Sequence, residues 1–492
     1  MSKPEILPLT ERFQDYLHDE SRLTGQADAI VFPQDVSQAA AALACAQAQG
    51  WSVTVQGSRT GIVGGAVPRG GLILNLSHMT AIGPVTGTEE TGFTVTVEPG
   101  VLWQDLDKAL ARQGLCFPPD PTETTASIGG MFAHNARGIC SHRYGATADW
   151  VQAVQVLRPD GSLLEIERGS CVLDSTGCTL PDGSRLELGP LPTQSFAPCV
   201  PSPGLSLVDV FAGSEGTLGV VVRLTLNLAP RPTEPWGLTL FFDGPDAALS
   251  FADGLYDKHL TGLCCVEFYD AAALALVNAA RLQSSQLKDL VAFPPESQAA
   301  LYLQVQDPDA DAVEDTLMAL LDAFAAAGGS EAQSWAVSGE SAIRIFRRMR
   351  HAVPEAVNAK LDALRQTLPG LYKLSMDFAC PTMPCQAQYA LYTRILKQYG
   401  VPAVVFGHAA DRHLHCNLLP VTPEQLARCP QVLAALHAVF TDHGGILRAE
   451  NGAGKLKNEH FFLTDGERTA AAALRQAFDP THCMNPENFP TV

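Results

Sequence analysis

The stretch Val55-Gln56-Gly57-Ser58-Arg59-Thr60-Gly61, closed by Gly64-Gly65-Ala66, decides how the N-terminal half is read. A short strand-like run, Ser52 to Val55, leads into it. Glycines at this density permit positive φ and let backbone N–H groups approach a guest, and a dinucleotide pyrophosphate suits such a cradle. The spacing is not Gly-x-Gly-x-x-Gly, and no Gly-Lys-Ser/Thr follows, so neither a Rossmann loop nor a nucleotide-hydrolase P-loop is present. On its own the stretch is equally well a glycine-rich turn between two strands.

Outward from it, Val36 to Gln49 has helical periodicity, and Leu72 to Leu76 and Phe93 to Val97 are strand-like. Val101 to Gln113 reads as a helix with Gly114 as its C-cap. Val151 to Leu157 and Leu163 to Ile166 flank the turn Pro159-Asp160-Gly161 as a hairpin. Ser170 to Pro203, rich in Ser, Pro, Gly and Cys, reads as a long surface excursion, and Val220 to Leu228 is a final strand. Ala29 to Pro230 therefore forms one unit. Beyond Pro230 to Pro235, strands such as Gly237 to Phe242 and Ala300 to Val305 alternate with alanine-rich helices, Ala247 to Tyr256 and Asp311 to Ala327, as in a sheet covered by helices.

A chain of 492 residues is too long for one core. Its formal net charge of −19 disfavours nucleic acid and anionic lipid as partners. No run is apolar for long enough to span a bilayer, and the first residues lack the basic start and apolar run of a signal peptide. The 13 cysteines include no Cys-x-x-Cys pair, so an iron–sulfur cluster or zinc ribbon within the chain is not expected, and a cytoplasmic setting with reduced thiols is.

Two further blocks follow the first: Pro118-Pro119-Asp120-Pro121 leading to Ser127-Ile128-Gly129-Gly130 and His134-Asn135, then Gly213-Ser214-Glu215-Gly216-Thr217-Leu218-Gly219-Val220. In this order and spacing the three blocks resemble the FAD-binding domain of the FAD-linked oxidases of the vanillyl-alcohol oxidase superfamily, in the branch of D-lactate, glycolate and D-2-hydroxyglutarate dehydrogenases. The resemblance implies an α+β fold: a two-subdomain PCMH-type FAD-binding domain, then a cap domain with an antiparallel sheet flanked by helices. The corresponding division is an N-terminal segment 1–28, the FAD domain 29–231, the cap 232–470, and a tail 471–492 returning to the FAD domain. It implies FAD contacts from Gln56, Gly57, Ser58, Arg59, Thr60, Gly61 and Gly65 in the first block, and from Pro119, Asp120, Ser127, Gly129, Gly130, His134 and Asn135 in the second. Gly213, Glu215, Gly216, Gly219 and Val220 follow in the third, with Asn488 in the tail. The family's Lys and Gly-Tyr pair before the third block are replaced here by Pro201-Ser202-Pro203-Gly204-Leu205. The first loop has no histidine, so the FAD is expected to be non-covalent.

In the second half, Gly407-His408-Ala409-Ala410-Asp411-Arg412-His413-Leu414-His415 resembles the family's Gly-His-x-Gly-Asp-Gly-Asn-x-His block, which makes His408 and His415 metal ligands. Ala449-Glu450-Asn451-Gly452-Ala453-Gly454 resembles the block that supplies the third ligand, matched by Glu450. Two imidazoles and a carboxylate suit zinc or another divalent transition metal with open positions for a chelating 2-hydroxy acid. In the family a histidine after the glutamate accepts the hydroxyl proton; here Asn451 stands there, and an amide is no base near neutral pH. Three readings remain: His413, at the family's Asn position, is the base; a metal-activated hydroxyl loses its proton to solvent; or 2-hydroxy-acid activity is altered or lost and the chain is an FAD-binding subunit or divergent relative.

Arg350 matches the arginine that grips the substrate carboxylate, and Lys373, near Asp377, adds a second charge. For Arg347 and Arg348 the simpler reading is a basic helix end. The expected reaction is hydride transfer from a small D-2-hydroxy acid to flavin. Electrons would pass on to an acceptor such as an electron-transfer flavoprotein, a quinone or an iron–sulfur subunit. A homodimer is one form the resemblance allows.

Overall fold

A computed structural model describes residues 4–121, 123–193, 195, 199–256, 258, 260–283, 287–288, 290–447, 452–456 and 463–488, with the side chains of 340, 347, 377, 446 and 447 left aside. The chain divides into two compact units. One comprises residues 1–138, 146–230 and 450–492, the other 139–145 and 231–449.

Among its described residues the first unit holds two main sheets and a two-stranded hairpin. In the smaller, Leu7–Pro8, Ala29–Val31, Leu72–Asn75 and Val53–Gln56 lie in that order, the last three parallel. Helix Val36–Gln49 covers this sheet; Asp35 caps its start by accepting from Gln38 N at 2.8 Å, and Gly50 closes it at φ 66°. The larger sheet is antiparallel, in the order Ile82–Thr88, Gly92–Val97, Val220–Pro230, Val151–Leu157, Leu163–Glu167, with Leu115–Cys116 also paired to Val220–Pro230. Along Val220–Pro230 the buried positions alternate, with Val222, Leu224 and Leu226 inward, as one covered face requires. The expected surface excursion contains an antiparallel hairpin, Gly177–Thr179 with Arg185–Glu187, around Pro181-Asp182-Gly183. Its three-residue strands are too short to leave a periodicity.

The second unit is built on one antiparallel sheet of eight strands: Ser334–Ser338, Trp236–Phe242, Ala299–Val305, Leu263–Asp270, Ala403–His408, His413–Leu418, Ser375–Ala379 and Ile446–Leu447, in that order. Leu263–Asp270 and Ala299–Val305 are buried at every position, which explains their continuous apolar character. Helices Pro245–Tyr256, Ala271–Arg281, Ala310–Ala326, Glu340–Arg365, Cys385–Tyr399 and Pro423–Asp442 complete the unit. Arg347 and Arg348 lie inside the 26-residue helix Glu340–Arg365, so the expected helix end is not there. Among the described residues no helix is long and apolar enough to cross a membrane.

Candidate functional site

In the first unit the three glycine-bearing blocks meet. Ser127 N donates to Ser58 Oγ at 2.9 Å, and a Cβ on Gly57 would stand 2.2 Å from Ser127 Oγ, so the first and second blocks close only over a glycine. Gly213 N and Glu215 N donate to Phe132 O (3.0 Å) and Ala133 O (2.9 Å), joining the third block to the second. The C-terminal segment ties in through Glu215, whose carboxylate accepts from Ala453 N at 2.7 Å and Gly454 N at 2.8 Å. Asn488, fully buried, donates to Gly65 O at 2.8 Å and accepts from Lys455 Nζ at 2.6 Å. Burial lowers the Lys455 ammonium to about 8 against the opposing pull of Glu215.

The expected cofactor residues thus divide. Gln56, donating to Tyr16 O and Ala66 O (both 2.8 Å), and Asn488 are consumed in holding loops together. Arg59 bonds Asp15 O and lies over the Tyr16 ring. Gly129 packs on Pro99, Gly216 on Asn485 and Gly219 on Leu157, while Asn135, at φ 48°, caps the helix Ile128–His134 and accepts from Ala148 N at 3.0 Å. Pro119 O accepts from Trp103 Nε1 at 2.6 Å, Asp120 packs against Gly138, and Val220 opens its strand. Ser58, Thr60 and Gly61 stay half-buried at the first loop. His134 sits against Gly61, Gly65 and Gly452, and its buried Nδ1 has no hydrogen-bond partner among the described residues.

In the second unit a polar cluster crosses the sheet. Cross-strand pairing sets Glu267 opposite His408 and His408 opposite His413, and strand alternation puts His415 on the same face as His413. Gly407 makes this possible: at φ 129°, a Cβ there would stand 2.8 Å from His415 Cδ2 and 3.0 Å from His413 O. Arg350 reaches the cluster from helix Glu340–Arg365. His408 Nδ1 lies 2.7 Å from Glu267 Oε1, Arg350 Nε lies 3.3 Å from the same oxygen, and Arg350 Nη2 lies 3.3 Å from His408 Nε2. Since a carboxylate accepts and a guanidinium only donates, His408 carries its proton on Nδ1 and its lone pair on Nε2. Burial alone would raise the Glu267 carboxyl, but Arg350 and His408 outweigh it and hold it at about 2.

One ring nitrogen each from His408, His413 and His415 lies within 4.8 Å of the others, and all three side chains are buried. The turn between the strands is pinned from within the same unit: Ser141 Oγ donates to Asp411, and His142 Nδ1 lies 3.6 Å from it. Cys380 N and Gln388 Nε2 donate to Arg412 O at 2.9 and 3.0 Å. Arg350, His408, His413 and His415 are therefore brought together. Lys373 lies half-buried just before strand Ser375–Ala379, and Glu450 and Asn451 lie outside the described residues. Glu267 was missed in the sequence, although a lone carboxylate within Leu263-Cys264-Cys265-Val266-Glu267-Phe268 is the kind of residue that needs a buried partner.

Residues 27–167 match the FAD binding domain, and residues 237–489 match the C-terminal domain of the FAD linked oxidases. The chain belongs to the FAD-linked oxidases. It is 26% identical over 491 residues to a D-lactate dehydrogenase of Anaerostipes hadrus, covering 96% of this chain and 92% of that one. It is 26% identical to glycolate oxidase subunit GlcD of Bacillus subtilis (93% and 88% covered) and 28% identical to a D-2-hydroxyglutarate dehydrogenase of Xanthomonas citri (94% and 89%). Among solved structures, an alkyldihydroxyacetonephosphate synthase shares the fold, with a TM-score of 0.61 over 95% of this chain and 77% of that one at 15% identity.

Proposed function

We propose that the chain is an FAD-dependent dehydrogenase that oxidises a small D-2-hydroxy acid, of the lactate, glycolate or 2-hydroxyglutarate class, to the 2-oxo acid. The observation that carries the reading is the buried Arg350–Glu267–His408 cluster with His413 and His415, set in the oxidase C-terminal domain of a chain that also has an FAD-binding domain. Relatives named for all three acids support the substrate class.

FAD fits the first unit, where the His134 ring lies among Gly61, Gly65 and Gly452 and its Nδ1, without a hydrogen-bond partner among the described residues, offers a polar contact to a guest. When bound, FAD supplies the hydride acceptor. A divalent cation, zinc in first place, fits the imidazoles chemically, since nitrogen donors are its usual ligands and Glu267 orients one of them. In the reading taken from the family, His408, His415 and Glu450 hold it, and it supplies Lewis-acid polarisation of the substrate oxygens.

The chain's own groups do the rest. Arg350, with Nε on Glu267 and Nη2 on His408, sets its guanidinium charge to receive the acid's carboxylate, and Lys373 adds positive charge. Glu267 fixes both the Arg350 fork and the His408 tautomer, so the site is ordered before substrate arrives. Asn451 hydrogen-bonds the substrate hydroxyl without taking its proton.

The test is anaerobic mixing of the FAD-loaded chain with a panel of D-2-hydroxy acids while flavin absorbance is followed. Bleaching by one or more acids is expected. If the flavin stays oxidised with every acid, in the parent and in Asn451→His alike, the proposal fails. A second reading, favoured by Asn451 itself, is an FAD-binding subunit or divergent relative without this activity. It predicts that outcome together with normal flavin loading.

A further inference from the structure

We infer that His413 is a metal ligand in this chain, and that His408, His413 and His415 form a three-imidazole site that holds its ion without Glu450. The inference rests on the proposed reading that a divalent cation belongs to this cluster, and it changes which residues hold it.

Three features of the sheet support it. The three donor nitrogens already lie within 4.8 Å of one another on one face. A tetrahedral ion with nitrogen ligands at its usual bond length needs donors roughly 3.3 Å apart. Side-chain rotation has at most about 1.5 Å to close. The backbone is fixed: the strands pair directly at His408 and His413, Gly407 admits His415, and the intervening turn is held through Asp411 and Arg412. Finally, Glu267 Oε1 lies 2.7 Å from His408 Nδ1, the outer-shell position from which a carboxylate orients a ligating imidazole.

The chemistry of His413 points the same way. It is fully buried, and its ring centroid lies 4.6 Å from that of His415 and 5.5 Å from that of His408. An imidazole whose lone pair is given to an ion cannot also accept a substrate proton, so the role of base expected for His413 is given up. The family's ligand pattern has an asparagine at this position, a poor donor for a transition metal. Histidine there makes a nitrogen-only set, which selects zinc, cobalt, nickel or copper over magnesium, calcium or manganese. All three histidines belong to one compact unit. At His408 Nε2 the ion competes with Arg350 Nη2, now 3.3 Å away.

The experiment uses the full FAD-loaded chain, stripped with a chelator, dialysed, and titrated with Co²⁺. Bound metal is quantified by elemental analysis, and ligand-field bands are read on the long-wavelength side of the flavin. The parent should bind one Co²⁺ with tetrahedral-type bands that Zn²⁺ abolishes and Mn²⁺ and Mg²⁺ do not. His413→Ala and His413→Asn should each weaken binding more than about 100-fold, beyond the effect of losing an outer-shell partner. Glu450→Gln should bind like the parent. Flavin content and hydrogen exchange of the 403–418 hairpin confirm that each variant is folded, and two substitutions at 413 guard against one failing to fold.

Parent-like binding by either folded His413 variant overturns the inference. So does loss of the ion in Glu450→Gln. If the His413 variants bind and Glu450→Gln does not, the family ligand set, and with it the proposed function, stands. If the parent takes up no ion, the inference falls, while flavin bleaching by the acids still decides the proposed function separately.

Discussion

Replacing Glu267 by glutamine keeps the shape of the side chain and removes its charge, which isolates what that carboxylate does. Its pKa is held at about 2 rather than the ordinary 4.5, and at 1.36 kcal/mol per unit this is about 3 kcal/mol of preference for the ionised form. An independent route gives the same scale: removing one partner from a buried ion pair leaves the other charge uncompensated, typically at about 3–5 kcal/mol. Arg350, 8% exposed, and His408, 3% exposed, would be the groups left behind. Because a chain of two units need not unfold in one step, the readout should be local. Hydrogen exchange of strand Leu263–Asp270 and the 403–418 hairpin measures opening of this sheet.

At neutral pH, Glu267→Gln should lower protection there about 150-fold, the equivalent of 3 kcal/mol. The sign of the pH dependence is fixed by the depressed value. The carboxylate's contribution is complete above 4.5 and is lost as pH falls towards 2, so the gap between parent and variant should close over that window. Glu267→Leu with Arg350→Leu, which removes both charges together, should recover most of the loss. A change in protection of less than about fivefold on Glu267→Gln, or a gap that persists on acidification, would refute the argument that Arg350 and His408 hold this carboxylate ionised.

Gly57→Ala places a methyl group 2.2 Å from Ser127 Oγ, an overpacking of about 1–3 kcal/mol. Flavin affinity in equilibrium dialysis should fall about 10–100-fold, and Ser127→Gly in that background should restore it. Lys455 is lower in the folded chain, at about 8, than its ordinary 10.5, so unfolding takes up a proton between those values. Stability of the FAD-loaded chain should therefore rise with pH from 8 to 10.5, and the slope should vanish in Lys455→Met, as read by thermal midpoints across that range. Arg350→Leu should raise KM for the acid at least about tenfold, the equivalent of one charge-assisted hydrogen bond, with a smaller change in kcat; an unchanged KM would remove Arg350 from the carboxylate site.

What could be read from the sequence was whatever lies close together in the chain. The three glycine blocks each fit within a few residues, and the pairs that gather them, Ser58 with Ser127 and Gly213 with Phe132, only confirm an arrangement their order already suggested. His408 and His415 were legible for the same reason, because a tight turn and two strands carry them in one short block. Glu267 was not, because its meaning comes from register: it is the partner of His408 only because strand Leu263–Asp270 pairs with Ala403–His408 at that residue, and nothing local records which strands are neighbours. His413 shows the intermediate case. Its spacing to His415 places both on one face of any strand, but its match to the family's asparagine position drew it into the role of base. The strand pairing brings it into a row with His408 and Glu267, where the proposed ion would take its lone pair. On that footing Asn451 and His413 are separate differences: the family's histidine after the glutamate is its base, whereas the proposed role of His413 is to hold the ion. His413 lies in the same compact unit as Arg350 and Glu267. A chain altered in this way should keep its ion when Glu450 is removed and should not regain a ligand when Asn451 is returned to histidine.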